Sequence, residues 1–188
     1  MAGIQNISEA DLRATAYHEA GHCVAEIVYG RTLRYVTIIP GKRKNARGQV
    51  MAGRALFRRP RGVQSREQKK TDFTAALMGC YAGVICESAA TGKPVDQSSI
   101  ADDHKAAVDM VSAFLGGNIA PERLQSVLSV IYQETLRFLV SPRIARAVRY
   151  VADALIVRRT LTGGEVNRLI LQAFNAAAPG ESSQPAPK

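Results

Sequence analysis

Histidine is scarce in this chain, at only three of 188 residues: His18, His22 and His104. Cysteine is equally scarce. Cys23, Cys80 and Cys86 are odd in number and irregular in spacing, which argues against a disulfide framework and for a reducing compartment. A long apolar run is missing too. The longest charge-free stretch, Phe73 to Cys86, has 14 residues, too short for a bilayer and suited to a buried helix. Met1 to Asp11 has no basic start and no apolar run, so no secretory signal is expected. The expectation is a cytoplasmic protein without a membrane span. No Walker-type Gly-rich loop occurs, so no built-in ATPase is expected.

Acidic residues are missing from one segment. Between Lys42 and Lys70 there are eleven basic residues and one acidic, Glu67, so the net charge of +9 belongs to this stretch. Most charge runs are solvated surface. Phe57 is the segment's only aromatic, which argues against a nucleic-acid surface built on stacking. The functional expectation is a positive rim that attracts acidic substrates or an acidic partner.

Two of the three histidines fall in one motif, His18-Glu19-Ala20-Gly21-His22, an H-E-x-x-H. Four residues apart on a helix, the two imidazoles stand on one face and can share one tetrahedral zinc ion. Glu19 lies about 100° round from His18, placed to act on a water at the open zinc position. A helical wheel gathers Leu12, Ala16, Ala20, Cys23, Val24 and Ile27 into one apolar stripe. The histidines lie nearly opposite, flanked by Glu19 and Glu26, so they are not core residues of that stripe. Cys23, on the stripe, reads as core and not as a ligand. Catalytic zinc needs a third protein ligand. Ala25 and Val28 exclude the metzincin continuation, and no glutamate suits the thermolysin pattern. By composition His104 is a candidate, and neighbouring Asp103 is equally explained as an acidic residue near a helix start.

The rest of the chain predicts a mainly α protein with a small antiparallel sheet, an α+β class. Ser8-Glu9-Ala10-Asp11 opens a helix that runs to about Tyr29. Residues 33 to 39 predict a strand with Leu33, Tyr35, Thr37 and Ile39 on one face, and 49 to 57 predict its hairpin partner. Ser65 to Gln68 is a capping box before a helix to about Ala90, where Ala76, Gly79, Ala82 and Gly83 would let another helix approach. Residues 97 to 100 read as a short loop, with Asp102 and Asp103 in the first turn of the next helix. Gly116-Gly117 ends that helix, Pro121 opens one to about Val140, and Ser141-Pro142 opens one to about Arg159. Thr162 to Glu165 is a last capping box. The domain is expected over 1 to 178, with a disordered tail over 179 to 188.

The stretch Thr15 to His22 resembles the zinc helix of the FtsH peptidase family. Val36-Thr37-Ile38-Ile39-Pro40 resembles that family's next strand, and Ala82-Gly83 with Glu87 its Gly-Gly-Arg-x-x-Glu helix. Ala101-Asp102-Asp103 is similar to its Ala-x-Asn-Asp segment, and Thr160 to Val166 to its C-terminal signature. The departures are Val84 for Arg, Asp102 for Asn and Arg159 for Glu. The likeness runs from about 10 to 175. It implies an FtsH-type metallopeptidase fold, with zinc between the H-E-x-x-H helix and the helix after Ile100. The implied ligands are His18, His22 and Asp103, with Glu19 as general base. It further implies peptide-bond hydrolysis and a homo-oligomer; because the sequence has no Walker-type loop, the expected hydrolysis is ATP-independent and acts on peptides or unfolded protein, with a separate ATPase as a possible supplier. The competing expectation is a non-catalytic, zinc-stabilised module whose basic loop binds an acidic partner.

Overall fold

The computed structural model describes residues 8–40, 54–58, 64–94, 97–117 and 119–176. Its elements are α1 (Glu9–Val28), β1 (Leu33–Thr37), β2 (Arg54–Phe57), α2 (Arg66–Thr91), α3 (Gln97–Phe114), α4 (Pro121–Leu139), α5 (Pro142–Arg158), β3 (Thr160–Thr162) and α6 (Gly163–Asn175). Six helices and one three-stranded antiparallel sheet, among the described residues, match the expected α+β class.

Local chemistry sets most boundaries. Ser65 and Gln68 form a full capping box at α2, and Thr162 and Glu165 another at α6; each satisfies amides the helix leaves free. At α1 only half of the box forms. Ser8 Oγ accepts the Asp11 amide at 3.1 Å, while Asp11 accepts the Ser8 hydroxyl instead of reaching a backbone N–H. Ser141 makes no side-chain cap, so the start of α5 rests on the fixed φ of Pro142.

The sheet runs β2-β1-β3, with both pairings antiparallel. The expected hairpin is there, with Val36 opposite Ala55. The expected face is not. A register shift between Leu33 and Tyr35 changes the phase of β1, so Leu33, Val36 and Ile38 are buried and Ile39 is exposed. An extra residue in one strand inverts the alternation beyond it. β3 was not expected, because three residues carry no visible alternation. It exists through Arg159, which takes the left-handed conformation (φ 65°) at the end of α5. The Arg159 carbonyl accepts the Ile38 amide at 2.9 Å, which aligns Thr160–Thr162 against β1.

α3 begins at Gln97 and has no acidic residue in its first turn. The segment 97 to 100 is helix, not loop, so Asp102 and Asp103 lie beyond the free amides at the helix start. The helix-dipole account of these aspartates therefore fails. Residues 49 to 53, most of the basic segment and the tail from 179 lie outside the described residues.

Two apolar clusters meet at α2. One joins α1, β1, α5, β3 and α6 through Ala16, Val24, Val36, Val151, Leu155, Leu161 and Val166. The other joins α2, α3 and α4 through Leu77, Tyr81, Ala107, Val111 and Leu128. By length and hydropathy α2 is a candidate bilayer span, yet Leu77, Met78, Ala82 and Val84 are buried inside the fold. α1 and α2 pack antiparallel, with His18 beside Glu87 and Glu26 beside Gly79. The approach is close: a Cβ on Gly21 would lie 2.4 Å from the Ala82 carbonyl oxygen.

Candidate metal centre

On α1 the two histidines face α2 and not the main core. Each ring is fixed by one nitrogen. His18 Nδ1 lies 2.9 Å from Glu87 Oε2, and His22 Nδ1 lies 2.8 Å from the Gly79 carbonyl oxygen. A carboxylate and a carbonyl only accept, so both Nδ1 atoms carry the proton and donate. In the neutral rings both Nε2 atoms then present lone pairs. These two lone-pair atoms are 2.9 Å apart. Asp103 Oδ2, from α3, completes a triangle at 3.4 Å from His18 Nε2 and 3.5 Å from His22 Nε2.

Three acceptors facing one point repel unless a cation sits among them. A tetrahedral ion with bonds of about 2.0–2.1 Å has ligand-to-ligand edges of about 3.3 Å, close to those observed. The Nδ1 contacts are the outer partners that metal-bound histidines need for orientation. His18, His22 and Asp103 thus form a group able to hold a metal ion, and the donor set suits zinc. His104, the rival from composition, is exposed and outside the group.

The electrostatics agree. Burial disfavours a charged His18, but hydrogen bonds with Asp103 and Glu87 outweigh it and raise its pKa to about 10. The site prefers a positive charge at that spot, and a proton supplies it in the metal-free chain. His22 is lowered, by burial above all. Asp103 resists its own burial and is lowered by His22 and His18. Both therefore stand in the ligating form near neutral pH.

Glu19 is buried, and its Oε2 has no hydrogen-bond partner among the described residues. Burial raises its pKa to about 7, against the opposing pull of His18 and, more weakly, of the Ala55 backbone in β2. A buried carboxylate oxygen without a partner is costly and calls for a reason.

No family model and no curated protein matches this chain. The site therefore rests on its own geometry. All four sequence-derived residues converge: His18, Glu19 and His22 from α1 and Asp103 from α3. Sequence reasoning noted Glu87 only as part of a motif and gave the Gly79 carbonyl no role. A signal for both was present, since Gly79, Gly83 and Glu87 repeat every four residues, the spacing of the histidines. Gly83 closes the site from α2. A Cβ there would lie 2.6 Å from His22 Nε2 and 3.0 Å from His18 Nε2.

Proposed function

We propose that the protein is an FtsH-type zinc metallopeptidase that hydrolyses peptides or unfolded polypeptide without ATP. One observation carries the reading: three lone-pair donors converge beside a buried carboxylate that has an unpartnered oxygen. A closed structural zinc site has no use for such a carboxylate. His18, His22 and Asp103 would hold zinc, with Glu87 and the Gly79 carbonyl fixing the two rings. Bound there, zinc would supply Lewis-acid chemistry, polarising a carbonyl and acidifying a water. Glu19 takes the proton of the attacking water and returns it to the leaving amine. β2 is an outer strand of the described sheet and brings Ala55 beside Glu19, so an extended peptide added along it would pass the base. The enzyme takes unfolded chains or those delivered by an unfoldase.

The test compares wild type with Glu19→Gln on casein and unstructured peptides, with zinc measured in both. Wild type should cleave without ATP, and Glu19→Gln should retain zinc but lose at least about a hundredfold in rate, the scale of general-base catalysis. Equal cleavage by the two proteins would remove the proposal.

A further inference from the structure

A cleft of about 1170 Å³ opens at the far end of β2, between the end of α1, the start of β1 and the first turns of α2. We propose that it is a subsite for an acidic side chain of the substrate, about two to four residues from the cleaved bond. The inference rests on the peptidase reading above.

β2 makes the connection. Ala55 lies beside Glu19, while Leu56, Phe57 and Arg58 line the cleft. An extended peptide along this strand advances about 3.3 Å per residue, so it reaches the cleft a few residues from the base. The sheet-side wall carries Arg31, Arg34 and Arg58. Arg31 is engaged: it pairs with Glu26 and lies 5.0 Å from the centre of the Phe57 ring. Arg34 and Arg58 have no carboxylate partner among the described residues. The opposite wall has two acids, both occupied. Glu67 lies 3.8 Å from Lys70, and Asp72 accepts from the Gln64 amide. Among the described residues, the cations left to meet a ligand are thus Arg58, at the end of the strand the peptide follows, and Arg34, on the neighbouring β1. In the sequence, residues 42 to 61 hold eight basic residues and no acidic one. A guanidinium meets a carboxylate with charge-assisted hydrogen bonds at one position along the peptide, unlike a diffuse rim that acts on net charge alone.

The test uses the zinc-loaded full chain and a set of unstructured ten-residue peptides. They differ only in the place of one glutamate, with an all-neutral parent as reference. Glutamate about two to four residues from the bond, on one side of it only, should raise kcat/KM roughly tenfold, mainly through KM, the size of one such pair. In the Arg34→Gln/Arg58→Gln variant the acidic-to-neutral ratio should fall close to one, with zinc content as in wild type. The Arg34→Lys/Arg58→Lys variant should keep much of the ratio. An equal gain at every glutamate position, or a ratio that survives the glutamine variant, overturns the subsite while the peptidase stands. If no peptide is cleaved, the peptidase reading fails instead. Binding of the same labelled peptides to Glu19→Gln protein then decides the subsite, position-dependent affinity supporting it and uniform affinity refuting it. A single-stranded oligonucleotide that displaces the acidic peptide at lower concentration, through the same two arginines, also overturns it.

Discussion

His18 holds a proton where the site would hold an ion, and this gives metal binding a defined proton count. Its pKa of about 10 in the metal-free chain stands well above neutrality, while His22 and Asp103 are already in their ligating forms. Zinc binding at pH 7 should therefore release close to one proton, and fewer as pH rises through about 10. Titration calorimetry in two buffers of different ionisation enthalpy reads this directly; no release at pH 7 would mean that His18 is already neutral in the metal-free chain. Glu19 makes the second case. Its folded pKa of about 7 exceeds its ordinary 4.5, so ionisation costs stability that is absent below about pH 4.5 and complete above about pH 7. Glu19→Gln should thus stabilise metal-free protein at pH 8 by on the order of 1–3 kcal/mol. At pH 4 the gain should vanish. Thermal melts at the two pH values check it, and an equal gain at both would refute the buried-carboxylate argument.

The element that decides the site is the antiparallel pair of α1 and α2, and glycine sets its spacing. Gly21 faces the Ala82 backbone, which cannot yield without parting the helices, while Gly83 faces the two Nε2 atoms. Substitution should separate these roles. Gly21→Ala should cost roughly 1–3 kcal/mol of stability through overpacking. Gly83→Ala should cost less stability but most of the zinc affinity, since its methyl group crowds the donor atoms. Gly164→Ala, which meets nothing within 4 Å, is the control and should leave both nearly unchanged. Chemical denaturation with a parallel zinc titration measures all three. A Gly83→Ala protein that binds zinc as tightly as wild type would mean that α2 does not close the site.

At the scale of the whole molecule, the ligands come from α1 and α3 and the ring-orienting partners from α2, so an ion would tie three helices together. Binding to the folded state alone stabilises it by about 2.7 kcal/mol at a hundredfold excess over Kd. For a chain of this length that is about 5–10 °C in Tm. Chelation should lower Tm by that much, and zinc should restore it. Asp103→Ala should abolish the response and His104→Ala should keep it; the reverse would reassign the third ligand. The sequence by itself determined the H-E-x-x-H helix and its histidine pair, the capping boxes of α2 and α6, the helical class and the hairpin. These are local signals, written in residues three or four apart or in single Gly and Pro residues. It did not determine the inner face of β1, since a one-residue irregularity near Leu33 reverses every later position. Nor did it reveal β3, whose three residues become a strand only because Arg159 delivers them to β1. Asp103 shows the division most plainly. In the sequence it was one of two aspartates near a helix start, with a histidine beside it. Only the packing of α3 over α1 and α2 placed its oxygen 3.4 Å and 3.5 Å from the two imidazoles, because contacts between residues some eighty positions apart are set by the fold and leave no local pattern.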